Sequence, residues 1–435
     1  MKKLQSNAYL LMVFALITAA VGFTACRSQG EETSDLPVQH EEEMIHQPIT
    51  MQLIGLIENN PEVGDLLEAS ISRAKEINSN TTTNPVQSLD DYYNYIDAAS
   101  RSLPNNMWEI APELSMREQM LQGICYHYFL VGQPLPELED KGLFSNSLQY
   151  YEPFASWMRD FAVVQGQYMD TEESWSEEVY QEIYADTSFG LQTDLYEDPS
   201  NWNTFNRFFC RYLSSPDVRP VASPDDPSVV VSPADCVPQG VWNISADSEI
   251  EVEGGLDVKL LTYYSVHDLL KSDSEYRDAF AGGVLTHAFL NVFDYHRYHF
   301  AVGGEIVEKA SLTRNVALEV SWDEEQGIYI PLDSTGWQFS QTLGYVIVDT
   351  DEYGLVALIP MGMAMVSSVN FEDNVTVGST LEKGDMLGNF LFGGSDFIML
   401  FQEGAGFEIT APMANDSVYE HIHMGEEYGR MVAEQ

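Results

Sequence analysis

A serine near the C-terminal end of the chain follows two glycines and stands between two largely apolar segments. The sequence reads Gly393-Gly394-Ser395, with residues 388–392 before it and residues 397–401 after it. Glycine permits backbone geometries that other residues avoid, so this hydroxyl lies beside a chain that can bend toward it. A Gly-Gly-Ser sequence is usually only a turn. The same residue types are also those that self-cleavage at a serine requires.

Two histidines supply the other half of such chemistry. His296 and His299 stand in the segment DYHRYH, residues 294–299. A serine becomes a nucleophile when a base lies within hydrogen-bond reach, and a carboxylate usually orients that base. His299 and Asp235 are the candidates for base and carboxylate, and His296 is a candidate proton donor. A spacing of i and i+3 is more often a helix surface pair or a metal site, so spacing alone leaves these alternatives open.

Four segments resemble motifs of the phosphatidylserine decarboxylase family, in the family's order. Residues 232–235 (SPAD) resemble its aspartate motif, and residues 294–299 resemble its histidine motif. Residues 383–388 (KGDMLG) resemble the approach to the family's cleavage site, and residues 391–395 (LFGGS) resemble the cleavage motif itself. The combination identifies the chain as similar to this pyruvoyl-dependent family.

The resemblance implies that the chain makes its own cofactor. Members of the family cut themselves before such a serine, here between Gly394 and Ser395, and convert the serine into a covalent pyruvoyl group. The resemblance carries over Asp235, His299 and Ser395 as the self-cleavage triad and His296 as a decarboxylation residue. The pyruvoyl ketone condenses with a substrate amine and withdraws electrons as carbon dioxide leaves. Further residues expected near the pocket are His287, Tyr298, Phe392 and Gly393.

Three positions depart from the family pattern without removing a predicted catalytic residue. Cys236 stands where glycine usually follows the aspartate, and residues 303–304 are Gly-Gly in place of Asp-Gly. Asp396 follows the serine where a small residue is common. A negative charge beside the scissile bond is expected to slow processing.

The predicted secondary structure that positions these motifs changes from helices to strands along the chain. From residue 50 to residue 213 apolar residues recur at helical spacing, and a stretch rich in proline and serine then follows. Beyond it, apolar residues alternate as in strands. The predicted fold class is α+β, with a helical decarboxylase-associated domain over residues 49–213 and a mainly β catalytic domain of the phosphatidylserine decarboxylase type over residues 214–435.

Specific strands are predicted within the second half. The pattern indicates strands at residues 229–231, 304–307 and 316–320. A hairpin is predicted from residues 345–348 through a turn at residues 351–354 into residues 355–359.

The first residues are typical of an export signal. Lys2 and Lys3 precede an apolar run, and residues 23–26 (FTAC) resemble a bacterial lipoprotein processing site that ends a signal peptide of residues 1–26 and lipidates Cys26. A plain signal peptide or an uncleaved anchor is the alternative. Residues 27–48 indicate a flexible acidic tether. The expected location is therefore an exported bacterial protein anchored to a membrane, in the periplasm or on the outer surface.

Charge and cysteine content exclude several classes of function and of structural site. The net charge of −48 at pH 7 repels nucleic acid and provides no attraction to anionic lipid. Apart from Cys26, the cysteines form an odd set without metal-like spacing, so neither a disulfide framework nor a metal site is predicted. His421 and His423 alternate in an acidic segment, where most such pairs are exposed to solvent.

The substrate stays open between two classes. Looser motifs, including residues 205–209 and 280–283, are similar to an extension found in a branch that includes pyruvoyl-type L-tryptophan decarboxylases. A membrane tether favours phosphatidylserine, whereas the acidic body favours a free amino acid. The interpretation leans to conversion of phosphatidylserine to phosphatidylethanolamine, because this activity is the commoner one in the family.

The sequence leaves two alternatives to a decarboxylase. One alternative is a surface lipoprotein that keeps the fold as a binding module and never matures. A metal-dependent hydrolase using His296 and His299 is disfavoured, because no carboxylate stands at helical ligand spacing to complete a site. The family resemblance implies a homodimer.

Overall fold

The computed structural model describes residues 46–106, 114–250, 264–332, 340–363, 369–415 and 417–432. The predicted lipidation site at Cys26, and the tether up to residue 45, lie outside these residues. The described part includes seven α-helices: α1 (Pro48–Asn59), α2 (Pro61–Ile77), α3 (Leu89–Ala99), α4 (Met116–Val131), α5 (Phe154–Met169), α6 (Glu177–Ala185) and α7 (Phe205–Phe209). No helix in this part is both long and apolar enough to cross a bilayer.

Local sequence explains where several helices begin. Prolines occupy the first position of α1 and α2, where the missing N–H costs nothing. The Ser88 hydroxyl accepts a hydrogen bond from the Asp91 N–H at the start of α3, and Glu118 bonds back to Ser115 at the start of α4. Helix α4 is buried along most of its length, so it is the central helix of the N-terminal core.

Strands follow the helices along the chain. They are β1 (Val229–Val231), β2 (Val237–Asn243), β3 (Glu249–Ile250), β4 (Tyr264–Ser265), β5 (Val284–Leu290), β6 (Arg297–His299), β7 (Gly304–Leu312), β8 (Val320–Asp323), β9 (Ile328–Pro331), β10 (Thr342–Asp349), β11 (Leu355–Met363), β12 (Val369–Phe371), β13 (Thr380–Leu381), β14 (Met386–Phe390), β15 (Gly394–Phe401), β16 (Glu408–Ile409), β17 (Met413–Asn415), β18 (Val418–Tyr419) and β19 (Glu427–Arg430).

One large antiparallel sheet supports the cleavage motif. Its strand order is β13-β7-β10-β11-β15-β5-β2, so β15 lies between β11 and β5. A three-stranded sheet of order β12-β14-β6 carries the histidine motif, and another of order β1-β19-β16 joins the start and the end of this half. The cleavage and histidine motifs therefore reach the site from different sheets.

A hairpin from the second half enters the core of the helical half. Strands β8 and β9 pair antiparallel, and the Tyr329 ring is buried among the helices. The Gln122 side chain bonds both the N–H and the carbonyl of Tyr329, while the Tyr329 hydroxyl donates to the Thr83 carbonyl and accepts from Asn78. These bonds tie the hairpin of β8 and β9 into the buried core of the helical half.

The predicted fold class is confirmed: helices precede a mainly β half. The hairpin over residues 345–359 is confirmed by β10 and β11, and the strands predicted at residues 229–231 and 304–307 are confirmed by β1 and β7. The strand predicted at residues 316–320 is wrong, because only Val320 of that range belongs to a strand.

Side-chain amides explain that error. The Ala317 N–H donates to Gln341 Oε1 at 2.8 Å, and the Leu318 N–H donates to Gln149 Oε1 at 3.1 Å. Distant glutamines therefore satisfy backbone groups that a neighbouring strand would otherwise pair. The apolar pattern of these residues reflects their packing against the helical core.

Candidate active site

Ser395 lies at the start of β15, in the interior of the large sheet. It is fully buried and stands opposite Gly362 on β11 and Leu290 on β5. Gly393, two residues earlier, has a φ of 150°, a conformation that L-residues rarely adopt. Gly393 thus permits the turn that brings the chain into the sheet.

Of the two histidines in the predicted motif, His296 is the one whose side chain contacts Ser395. Its Nδ1 lies 3.5 Å from Ser395 Oγ, at the outer limit of a hydrogen bond, and its Nε2 lies 3.0 Å from the Asn291 carbonyl oxygen. Because a carbonyl only accepts, Nε2 carries the proton and Nδ1 is free to accept one. The ring stacks on Phe209 of α7 at 3.9 Å between centroids. Burial, assisted by the charge of Arg211, lowers the pKa of His296 to about 3, so the ring is neutral at pH 7.

His299 lies in the same buried region but makes different contacts. Its Nδ1 is 2.8 Å from the Gly384 carbonyl oxygen, and its Nε2 is 3.1 Å from the Tyr295 hydroxyl. Burial lowers the pKa of His299 to about 4. Among the described residues, no hydrogen bond joins its side chain to Ser395 or to Asp235. The predicted contacts of the triad are therefore not made in this uncleaved chain.

Asp235 is buried and bound by groups outside the predicted triad. Arg219 donates to both carboxylate oxygens, at 3.3 and 2.9 Å, and the Met424 N–H donates at 2.8 Å. His423 Nδ1 approaches to 3.5 Å. Burial alone would raise the pKa of Asp235, but His423 and Arg219 lower it far below its usual range. Asp235 stays near the histidine motif through the bond from the His299 N–H to the Pro233 carbonyl.

The C-terminal histidines keep part of their surface exposed, as expected, but their rings also contact the site region. His421 Nε2 lies 2.8 Å from Asp294 Oδ1, and the Asp294 carboxylate also accepts from the Asn291 N–H. Burial lowers the pKa of His421, but the hydrogen bond and the charge of Asp294 raise it overall. With His423 beside Asp235, the segment after Ser395 places a histidine against the buried aspartate of each of the two predicted motifs. Local sequence carried no signal for these contacts.

The other predicted residues take varied positions. Phe392 is buried and packs edge-to-face on Phe209, so it belongs to the aromatic wall around His296. Tyr298 donates its hydroxyl proton to the Asn370 carbonyl and packs on Phe390, which makes it a core residue.

His287 pairs with the residue after the serine. Its Nε2 lies 2.9 Å from Asp396 Oδ2, and the Asp396 side chain is almost fully buried. Because successive side chains on a strand point to opposite faces, this pair lies across the sheet from the Ser395 hydroxyl. The carboxylate expected to disturb processing is therefore paired with the His287 imidazole. The thiol of Cys236, the other departure near the site, is buried beside the Ser232 hydroxyl at 3.3 Å, and burial raises its pKa.

A polar cavity of about 340 Å³ borders the site region. Asn206, Cys210 and Leu391 contribute to its lining, as does Arg297, whose guanidinium stacks on the Tyr212 ring. The lining does not include the four predicted pocket residues, which are His287, Tyr298, Phe392 and Gly393. In the described ranges, no group of three or more His, Cys, Asp or Glu side chains is arranged to hold a metal ion.

Comparison with known proteins agrees with the resemblance. A family model described as Phosphatidylserine decarboxylase matches residues 205–430. Decarboxylase iboD of Amanita muscaria is 30% identical over 255 residues, covering 53% of this chain and 69% of the relative. Phosphatidylserine decarboxylase proenzymes of Saccharophagus degradans and Alcanivorax borkumensis are 28% and 31% identical, covering 48% of this chain in each case and 73% and 71% of the relatives. The predicted family is confirmed: this chain belongs to the phosphatidylserine decarboxylase family and is a decarboxylase, a carboxy-lyase.

Proposed function

We propose that the chain cleaves itself between Gly394 and Ser395, converts Ser395 into a pyruvoyl group, and decarboxylates phosphatidylserine. The observation that carries the proposal is the buried approach of 3.5 Å between Ser395 Oγ and His296 Nδ1, directly after a Gly-Gly turn. Relatives named as phosphatidylserine decarboxylase proenzymes support both the processing and the substrate.

The residues around Ser395 suit the formation of the group. When the serine hydroxyl loses its proton, Oγ attacks the Gly394 carbonyl carbon, and an ester replaces the peptide bond. A base then takes the Cα proton of residue 395, the bond between Oγ and Cβ breaks, and Gly394 keeps the oxygen as its new carboxylate. The dehydroalanine that remains tautomerises to an imine. Water finally displaces ammonia from the new N-terminus. Burial of Ser395 keeps bulk water away from the ester until the elimination is complete.

The two histidines divide the proton transfers in this proposal. The resemblance gives cleavage to His299 and Asp235, and for that role His299 must exchange its contact with Tyr295 for one with Ser395. His296 already lies beside the side chain of residue 395, where it is neutral and can hold or deliver a proton at Nδ1. When present, the pyruvoyl ketone condenses with the substrate amine and withdraws electrons as carbon dioxide leaves.

A free aromatic L-amino acid is the second candidate substrate. The observation in its favour is the aromatic wall of Phe205, Phe209 and Phe392 next to His296. These rings come from the helical half and from the cleavage motif, and rings of this kind can pack against an indole.

The experiment is a measurement of carbon dioxide release from carboxyl-labelled phosphatidylserine and, separately, L-tryptophan. Ser395→Ala is the inactive variant, and Ser417→Ala, an exposed serine later in the chain, is the matched control. We expect release from phosphatidylserine by the unaltered chain and by Ser417→Ala, and none by Ser395→Ala. Release from tryptophan alone would move the second substrate to first place, and equal release by Ser395→Ala would refute the role of Ser395.

A further inference from the structure

Arg211 is a fully buried arginine just after α7. Within the described part of the chain, Nη2 is the only one of its three guanidinium nitrogens that makes a hydrogen bond. That nitrogen donates to the carbonyl oxygens of Phe293 and Asp294, at 3.0 and 3.2 Å, and to the Tyr196 hydroxyl at 3.1 Å.

The other two nitrogens lack partners. Nε and Nη1 are buried and make no hydrogen bond to any described residue, and no carboxylate in the described part forms an ion pair with this guanidinium. The ring centroids of Tyr196 and Phe208 lie 4.2 and 5.0 Å from Cζ of Arg211. These cation–π contacts offset part of the free-energy cost of burying the positive charge. A buried cation without an anion is strongly unfavourable, so the arrangement indicates that an anion is missing.

The acidic residues nearby are already occupied. Asp235 is bound by Arg219, and the Asp294 side chain is bound by His421, so neither carboxylate compensates Arg211. The positive charge is therefore left for a ligand. The charge of Arg211 also provides a local attraction for an anion, in a chain whose net charge of −48 would otherwise repel an anionic substrate.

Arg211 is placed beside the reacting residues. Phe209, two residues earlier, stacks on His296, and the charge of Arg211 acts on the His296 ring. The carbonyls that Nη2 binds belong to the residues directly before Tyr295 and His296. The free N–H groups thus lie in the same buried region as Ser395.

We propose that Nε and Nη1 of Arg211 bind the phosphodiester of the substrate. The guanidinium presents its N–H groups in a fork that matches phosphate oxygens. The carboxylate is the less suitable anion, because it loses its charge in the reaction, and a cation that held it would stabilise the ground state more than the transition state. A phosphodiester keeps its charge throughout. This inference rests on the proposed function and assigns it a headgroup site.

The test compares Arg211→Lys and Arg211→Gln with Arg207→Gln, which removes an exposed arginine from α7 of the same chain. The substrates are glycerophospho-L-serine, which carries the phosphodiester without acyl chains, and L-tryptophan. We expect the KM for glycerophospho-L-serine to rise about 10- to 100-fold in both Arg211 variants, with a smaller change in kcat. Arg207→Gln should leave the KM unchanged, and mass spectrometry should show normal cleavage in all three variants.

Several results would overturn the assignment. An unchanged KM in both Arg211 variants would show that the guanidinium does not bind the substrate. An equal rise for L-tryptophan would show that it holds the carboxylate. If the variants fail to mature, glycerophospho-L-serine is titrated into the Ser395→Ala chain with and without Arg211→Gln, and equal affinities would refute the proposal.

Failure of the proposed function itself is seen separately, in the unaltered chain. That chain would then remain uncut or would release no carbon dioxide from phosphatidylserine, whatever residue stands at position 211.

Discussion

Replacement of His296 by glutamine should separate decarboxylation from maturation. Glutamine can still donate to the Asn291 carbonyl, as Nε2 of His296 does, but it has no group that both accepts and delivers a proton. Loss of a positioned proton-transfer group lowers a rate about 10²- to 10⁴-fold, which corresponds to about 3 to 5 kcal/mol of barrier. Loss of the stacking on Phe209 costs about 0.5 to 1.5 kcal/mol, well below a typical stability of about 5 to 15 kcal/mol. The variant should therefore fold.

The assay follows the cut fraction and the release of carbon dioxide in the same preparations. We expect His296→Gln to be cut like the unaltered chain and to decarboxylate about 10²- to 10⁴-fold more slowly. His299→Gln should remain uncut. The opposite pattern, with His296→Gln uncut and His299→Gln cut, would show that the approach of Nδ1 to Ser395 serves cleavage, and the division of roles would be refuted.

Four further predictions concern residues around the site and the start of the chain. Arg219→Gln leaves the buried Asp235 without its arginine partner and should lower the free energy of unfolding by about 3 to 5 kcal/mol. Urea denaturation measures this change, and a loss below about 1 kcal/mol would contradict a stabilising ion pair. Because Asp235 has a lowered pKa, its contribution is present above about pH 4, the pKa of an unfolded aspartate, and is lost as the pH falls toward the folded value. In acid, the unaltered chain should therefore lose stability faster than Asp235→Asn. His287→Gln removes the imidazole that pairs with Asp396 and should slow cleavage in a time course, and an unchanged rate would show that the pair is only structural. Cys26→Ser should move the full-length protein from the membrane fraction to the soluble fraction, and unchanged fractionation would contradict lipidation.

Sequence alone could predict the parts of the site that are contiguous in the chain. The motifs around Asp235, His296, His299 and Ser395 are short, and their residue types suggest chemistry without knowledge of the fold. The hairpin of β10 and β11 was predictable for a similar reason, because its apolar pattern and its turn are both local.

Contacts between distant segments could not be predicted in this way. His421 and His423 reach the two buried aspartates only because β19 returns to pair with β1 near the aspartate motif. Arg211 follows a short helix, and its sequence does not reveal that the side chain is buried without an anion. The sequence also does not reveal that β15 pairs with β5. The contact of Asp396 on β15 with His287 on β5 therefore required the structure.

The intact mass of the purified chain is the most direct test of self-cleavage. We expect two fragments, one ending at Gly394 and one spanning residues 395–435 with a mass lower by one ammonia than that of a serine-initiated peptide. The Ser395→Ala chain should give a single uncut mass. A single uncut mass for the unaltered chain under every folding condition would contradict self-processing and would favour a binding lipoprotein that keeps the fold without the chemistry.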